Sequence, residues 1–165
     1  LSRGGPHEPV TKSFDLCIGV PPHRTPALVR ESGLADESGF IPVENRTLKT
    51  RHPDVYAIGD CAKATTITHM PIPRAGILAE NQAKVVAANL AVEVAGVGAA
   101  SSPPAVFDGK GYCFLEVGGG QAMIVEGDFF AEPMPCATLP PAPTTEAFEA
   151  KRRFESDRLR LWFGS

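Results

Sequence analysis

A glycine and a carboxylate follow a short apolar segment near the middle of this 165-residue chain. Residues 55–58 have the composition of a buried strand, and they lead directly into Gly59 and Asp60. In open α/β sheets, ligands bind at the carboxyl ends of the strands. Glycine lets a ligand approach the backbone closely, and the carboxylate can accept hydrogen bonds from two hydroxyls of a polyol. We therefore expect a ligand site at this strand end.

The thiols and imidazoles of the chain do not form a metal-binding pattern. The four cysteines lie far apart, and neither a C-x-x-C pair nor paired histidines at metal-ligand spacing occur. We therefore predict reduced thiols, no metal site and a cytoplasmic protein. A formal net charge of -3, with scattered basic residues, argues against nucleic acid as a partner. The cysteines are Cys17, Cys61, Cys113 and Cys136.

The elements that would position these side chains indicate an α/β fold. The apolar residues 14–20 predict a buried strand, and a helix follows with Thr25 as its cap and Gly33 as its left-handed end. Residues 75–95 predict one long helix with an apolar stripe, which ends at Gly96. Its many alanines suggest close packing against a sheet or a flat ligand.

The pattern changes in the last third of the chain. Residues 112–117 and 122–126 alternate with a period of two around a glycine turn at 118–120, which predicts a β-hairpin. A proline-rich stretch follows, and residues 146–163 predict a helix that carries aromatic side chains and arginines together.

Residues 50–60, Thr-Arg-His-Pro-Asp-Val-Tyr-Ala-Ile-Gly-Asp, resemble the second flavin fingerprint of the FAD-dependent pyridine nucleotide-disulfide oxidoreductases. The resemblance implies the C-terminal half of a Rossmann-like FAD-binding domain, with FAD as the cofactor. It implies that Asp60, beside Gly59, binds a ribityl hydroxyl of the flavin. It also implies that the backbone at Ala75 and Gly76 directs the positive end of the long helix at the isoalloxazine ring.

Two further stretches, residues 15–24 and 107–129, resemble the sulfide:quinone oxidoreductases and the flavocytochrome c sulfide dehydrogenases. In these families a cysteine of the hairpin belongs to a redox pair that takes sulfur from sulfide and passes electrons to FAD. Cys113 matches that cysteine, and we expect its partner to lie upstream of Leu1. The alternative is that Cys113 is a small apolar residue on the inner face of the hairpin.

Residues 79–83 resemble the segment that lines the quinone pocket of sulfide:quinone oxidoreductases and type II NADH dehydrogenases. A polar group in an apolar groove can hydrogen-bond a quinone carbonyl, which makes Glu80 and Gln82 candidates. The alternative is that both side chains face solvent.

The last predicted helix has the composition of a helix that lies in a membrane interface, where rings enter the lipid and arginines meet phosphates. Helices at this end attach the enzyme to the membrane in the family that the chain resembles. The competing hypothesis is that its aromatic residues pack on this protein or on a second subunit of a homo-oligomer.

A glycine-rich dinucleotide fingerprint is absent, because no G-x-G-x-x-G follows a strand and opens a helix. We therefore expect the pyrophosphate-binding half of the FAD domain to lie outside this chain, and the chain alone to bind FAD weakly and be inactive. The predicted organisation is a leading segment 1–13, the second half of an FAD-binding domain 14–98, a linker 99–105 and a hairpin-and-helix appendage 106–165.

The function predicted for the full-length protein is transfer of two electrons from sulfide, through Cys113 and FAD, to a quinone. A type II NADH:quinone oxidoreductase is the nearest alternative, and it needs no redox cysteine. A third hypothesis is a non-catalytic dimerisation or membrane-docking module.

Overall fold

The computed structural model describes residues 13–95 and 103–164 and has a mixed α/β architecture. Its helices are α1 Ala27–Glu31, α2 Gly76–Ala95 and α3 Thr145–Phe163. Its strands are β1 Ile41–Pro42, β2 Ala62–Lys63, β3 Lys110–Gly118, β4 Gln121–Asp128 and β5 Cys136–Thr138. A 3-10 turn, Gly59–Cys61, lies between β1 and β2 in the chain.

The strands form two separate sheets among the described residues. β1 and β2 pair in parallel, and β3, β4 and β5 form an antiparallel sheet in that order. The predicted hairpin is confirmed as β3 and β4, with Cys113 opposite Val125. Gly118 at the end of β3 and the two glycines that follow it all have positive φ, which glycine adopts without the steric cost of a Cβ atom. β5 was not predicted, because its three residues lie in a proline-rich segment without alternation.

The core joins the middle of the chain to the segment that precedes the hairpin. Leu48 and Phe107 are the largest fully buried side chains, and they belong to one cluster with Leu78 and Val86 of α2. The ring of Phe107 meets that of Phe130 edge-on, at 5.5 Å between centroids. Burial of apolar side chains is the main stabilising contribution here.

The long helix was predicted within one residue at its start, and its apolar stripe was predicted only in part. Leu78 and Val86 are buried, but Val94 is 86% exposed. Two amides take the remaining buried places on this face, Gln82 and Asn89. Asn89 can be buried because its amide donates to the Ala105 carbonyl and accepts from the Ala105 N–H. The predicted end at Gly96 lies outside the described residues.

Two predicted strands are absent from the described structure. Residues 14–20 are extended but unpaired, and every residue of this segment is exposed. In residues 55–58, only Tyr56 forms a bridge, with Lys49. A buried parallel strand needs neighbours on both sides, and no strand in residues 13–95 or 103–164 pairs with either segment. The predicted cap of α1 was also wrong, because the Thr25 hydroxyl donates to the Gly39 carbonyl.

The last helix, α3, was predicted almost at its observed bounds. Thr144 is its N-cap and accepts a hydrogen bond from the N–H of Ala147 at 3.1 Å. Its middle packs on the hairpin, where the ring of Phe154 meets Tyr112 and Phe114 edge-on. Across residues 13–95 and 103–164, no helix combines the length and apolar character needed to cross a membrane.

Candidate functional site

Asp60 lies on a 3-10 turn whose backbone is held from two sides. Gly59 begins the turn with φ +66° and donates its N–H to Oε1 of Gln82 at 2.7 Å. The carbonyl of Asp60 accepts a hydrogen bond from Nε of Arg74 at 3.2 Å. Asp60 itself is exposed, so the turn fixes its main chain and presents its carboxylate to solvent.

A small cleft separates this turn from the start of α2. Its lining includes Asp60, Arg74, Ala75 and Gln82. The expected placement of Asp60 at the end of a parallel strand was wrong, because residues 55–58 form no such strand. The turn instead precedes β2, and the residue that connects it to the helix start is Arg74.

A larger cavity of about 670 Å³ lies between the start of α2, β3 and α3. Ala75 lines both this cavity and the cleft beside Asp60. The start of α2 is therefore the wall between the two spaces. The cavity is lined mainly by apolar and aromatic groups, and its lining includes Ala75, Gly76, Ile77, Glu80, Tyr112, Cys113, Phe114, Phe148, Phe154, Arg158 and Trp162.

Cys113 is exposed on β3 and lines the large cavity together with Ala75 and Gly76. The first N–H groups of an α-helix have no acceptor within the helix, and they carry a partial positive charge. The structure thus brings the predicted cysteine and the predicted flavin-facing backbone to one cavity.

The distance between β3 and α2 depends on Gly111. A Cβ atom on Gly111 would lie 2.5 Å from Cδ2 of Leu78, which is far inside van der Waals contact. The absent side chain therefore lets the strand that carries Cys113 pack directly on the helix.

An ion pair joins α2 to α3 across the wall of the cavity. The Arg158 guanidinium donates to Oε2 of Glu80 through Nε at 3.1 Å and through an Nη at 2.8 Å. Lys84 binds the other oxygen of Glu80 at 2.8 Å. The hydrogen bond from Lys84 and then that from Arg158 lower the pKa of the Glu80 carboxyl, although burial opposes them. Glu80 is therefore an anion near neutral pH. Its side chain does not simply face solvent, because Lys84 and Arg158 bind its carboxylate.

The arginine of this pair is also held by an aromatic ring. Its guanidinium carbon lies 3.4 Å from the centroid of the Phe154 ring, in cation–π contact. Sequence patterns assigned Arg158 and Phe154 to a helix that either lies in a membrane interface or packs its aromatic residues on this protein or a second subunit. The partner of Arg158 is 78 positions away in the chain, so no local spacing could predict the pair.

The two quinone candidates occupy different places. Glu80 lines the large cavity, whereas Gln82 is 2% exposed and lines the cleft beside Asp60.

Cys61 donates its thiol to the Ile58 carbonyl and borders a third cavity with Asp60. Cys17 and Cys136 are exposed and line none of these spaces. The described residues contain no cluster of three or more histidine, cysteine or acidic side chains that could bind a metal.

Comparison with known proteins gives two kinds of match. Residues 10–93, just over half of the chain, match the sequence model of a family described as pyridine nucleotide-disulphide oxidoreductase. The chain is 32% identical over 123 residues to the mitochondrial sulfide:quinone oxidoreductase of Schizosaccharomyces pombe. It is 24% identical over 122 residues to the mitochondrial sulfide:quinone oxidoreductase of Mus musculus. These alignments cover 74% and 73% of this chain, but the chain spans only about a quarter of the length of each relative.

Proposed function

Because the chain belongs to the pyridine nucleotide-disulphide oxidoreductase family, we propose that it forms the second half of an FAD-binding domain in a sulfide:quinone oxidoreductase. The hairpin and α3 form the appendage to that half-domain. The observation that carries the proposal is the position of Cys113, which lines the same cavity as the first residues of α2. The names of the two relatives support sulfide as the electron donor and a quinone as the acceptor.

The residues at the start of α2 fit a flavin. A Cβ atom placed on Gly76 would meet no heavy atom within 4 Å, so a flat ring can approach the helix end closely. Asp60, on the other side of Ala75, offers a carboxylate to the hydroxyls of a ribityl chain. When bound, FAD supplies a two-electron acceptor. The helix end then favours negative charge near its N–H groups.

Cys113 is the proposed sulfur-handling group. In the full-length enzyme it would form a disulfide with a second cysteine: sulfide attacks this disulfide, the S–S bond breaks, one cysteine leaves as a thiolate and the other carries the sulfur as a persulfide. The exposure of Cys113 to the cavity gives a small anion access to it. Aromatic side chains form walls around it. These walls are Tyr112, Phe114, Phe148, Phe154 and Trp162.

The same cavity is the proposed quinone pocket. A quinone is flat and apolar with two carbonyl acceptors, and such ligands bind in apolar clefts with a few placed polar groups. Glu80 is ionised and can only accept hydrogen bonds, so it cannot donate to a quinone carbonyl. Arg158 can donate, and Glu80 and Phe154 hold it in place. We therefore assign the donor role to Arg158 and a holding role to Glu80.

A segment exchange with the Schizosaccharomyces pombe relative tests this function. The chain replaces the matching quarter of that enzyme, and sulfide-dependent reduction of a short-chain quinone is followed. We expect activity in the chimera, and a fall of about 100-fold or more with Cys113→Ser, because serine cannot carry sulfur through a redox step. Cys136→Ser is the matched control, since Cys136 is also exposed but lies away from the cavity.

Full sulfide-dependent activity in the Cys113→Ser chimera would contradict the proposal. If Cys113→Ser also keeps NADH-dependent quinone reduction, the result would favour the type II NADH dehydrogenase alternative. A correctly folded chimera without bound flavin would favour a non-catalytic module.

A further inference from the structure

The turn that carries Asp60 rests on α2 through two side chains of one helix face. Ala79 and Gln82 are three residues apart, so they lie on the same side of the helix. A Cβ atom on Gly59 would lie 3.4 Å from Cβ of Ala79, which leaves the turn in close contact with the helix. Gln82 is 2% exposed and accepts the Gly59 N–H at 2.7 Å.

This hydrogen bond satisfies a backbone donor that the turn leaves open. The N–H at the start of a 3-10 turn has no acceptor within the turn, and a buried donor without an acceptor is costly. With φ at +66°, Gly59 adopts a left-handed conformation that favours glycine. Gln82 therefore fixes the position of the first residue of the turn and the direction of the turn relative to α2.

The main chain around Asp60 is held, and its carboxylate is available to a ligand. Gln82 binds the preceding N–H, and Arg74 binds the Asp60 carbonyl. We propose that Gln82 is a positioning residue: it orients the Asp60 turn so that the carboxylate stands ready for the hydroxyls of a bound flavin. This inference rests on the flavin site proposed above. It gives Gln82 a role distinct from contact with a quinone.

Amide hydrogen exchange on the whole chain tests the proposal without any ligand. In Gln82→Met, which keeps the length of the side chain but has no oxygen acceptor, exchange at Gly59 should rise about tenfold or more. Gln82→Glu keeps an acceptor and should restore protection to within about threefold of the wild type. Asn89→Leu is the matched control, because Asn89 is a buried amide of the same face that binds the backbone of Ala105 instead.

Riboflavin, which carries the ribityl chain, is the probe for the second measurement. Quenching of its fluorescence by the chimera described above, after removal of its FAD, should weaken in Gln82→Met and recover in Gln82→Glu. Because Gln82 acts through Asp60, the effect of Gln82→Met should vanish in an Asp60→Ala background.

Three results separate failure of this inference from failure of the flavin site. Unchanged Gly59 exchange in Gln82→Met would overturn the positioning role, and so would an undiminished Gln82→Met effect in the Asp60→Ala background. An Asp60→Ala variant that binds riboflavin like the wild type would instead overturn the flavin site, while the exchange measurement still decides the role of Gln82.

Discussion

Glu80 shows how one residue can connect distant parts of a chain. Its carboxylate binds Lys84 one turn away on α2 and Arg158 on α3, and the Arg158 side chain is only 19% exposed. Charged groups that are partly removed from water interact more strongly than surface pairs. The free energy of this contact therefore depends on the ionisation of Glu80.

Glu80→Gln should destabilise the chain by about 1–2 kcal/mol at neutral pH, since Arg158 loses a charged acceptor. The folded-state pKa of Glu80 lies below its ordinary value of 4.5, so its contribution is present above that pH and is lost as the pH falls through the lowered pKa. Urea unfolding of both proteins should therefore give stabilities that converge as the pH falls from neutral to below 4.5.

Glu149→Gln is the control for this measurement. Glu149 contacts only Arg152, three residues further along the same helix, and both side chains are well exposed. A stability difference for Glu80→Gln that stays constant with pH would show that ionisation is not the source of the effect.

At the scale of elements, α3 has two different halves. Its middle packs on the hairpin through Phe154, and its last turn exposes apolar groups beside arginines. Leu161, Trp162 and Phe163 are between 60% and 73% exposed. Aromatic rings next to guanidinium groups are typical of helices that bind the interface of an anionic membrane. We therefore propose that this end of α3 contacts a membrane surface.

Trp162 is the only tryptophan of the chain, so its fluorescence reports this contact directly. Vesicles with anionic lipids should shift its emission to shorter wavelengths, and Leu161→Glu with Phe163→Glu should abolish the shift because it places two charges on the inserted surface. Leu139→Glu, at an exposed leucine outside the helix, should leave the shift intact. A shift that appears with protein concentration alone would indicate a second subunit as the partner.

At the scale of the whole molecule, an apolar segment remains outside the core. Leu16, Ile18 and Val20 are 77–86% exposed, although their composition is that of a buried strand. An exposed, unpaired apolar strand is a site for association with other chains. Leu16→Lys with Ile18→Lys should therefore reduce self-association in light scattering.

The same double variant should change the free energy of unfolding by no more than about 0.5 kcal/mol, because the replaced side chains pack on nothing in the described structure. Leu28→Lys is the control, since Leu28 is 82% exposed but lies on α1. A large loss of stability in the double variant would show that residues 14–20 pack on the chain in solution.

Local patterns predicted the elements that form from local interactions. The long helix, the hairpin and α3 were all predicted close to their observed bounds, and the family resemblance of residues 50–60 is confirmed by the family match. The strands at 14–20 and 55–58 were predicted wrongly, since a strand depends on neighbours that its own sequence does not specify. The roles of Gly59, Asp60, Ala75, Gly76 and Cys113 toward a ligand stay predictions.

For the same reason, sequence patterns could not predict the contacts that assemble the site. Nothing near Gln82 indicates that its amide binds the backbone of Gly59, 23 residues earlier. Nothing near Glu80 indicates Arg158. Such pairs arise when elements pack, and only the folded structure reveals them.

The close packing of β3 on α2, beside the large cavity, depends on the missing side chain at position 111. Any side chain at Gly111 would push Leu78 aside or lift β3 from α2. Because β3 carries Cys113 and packs against Phe154 through its aromatic residues, lifting the strand would move the thiol and α3 away from α2 together. The proposed electron transfer between the sulfur and a flavin at the helix end therefore depends on position 111, although Gly111 does not itself line the cavity.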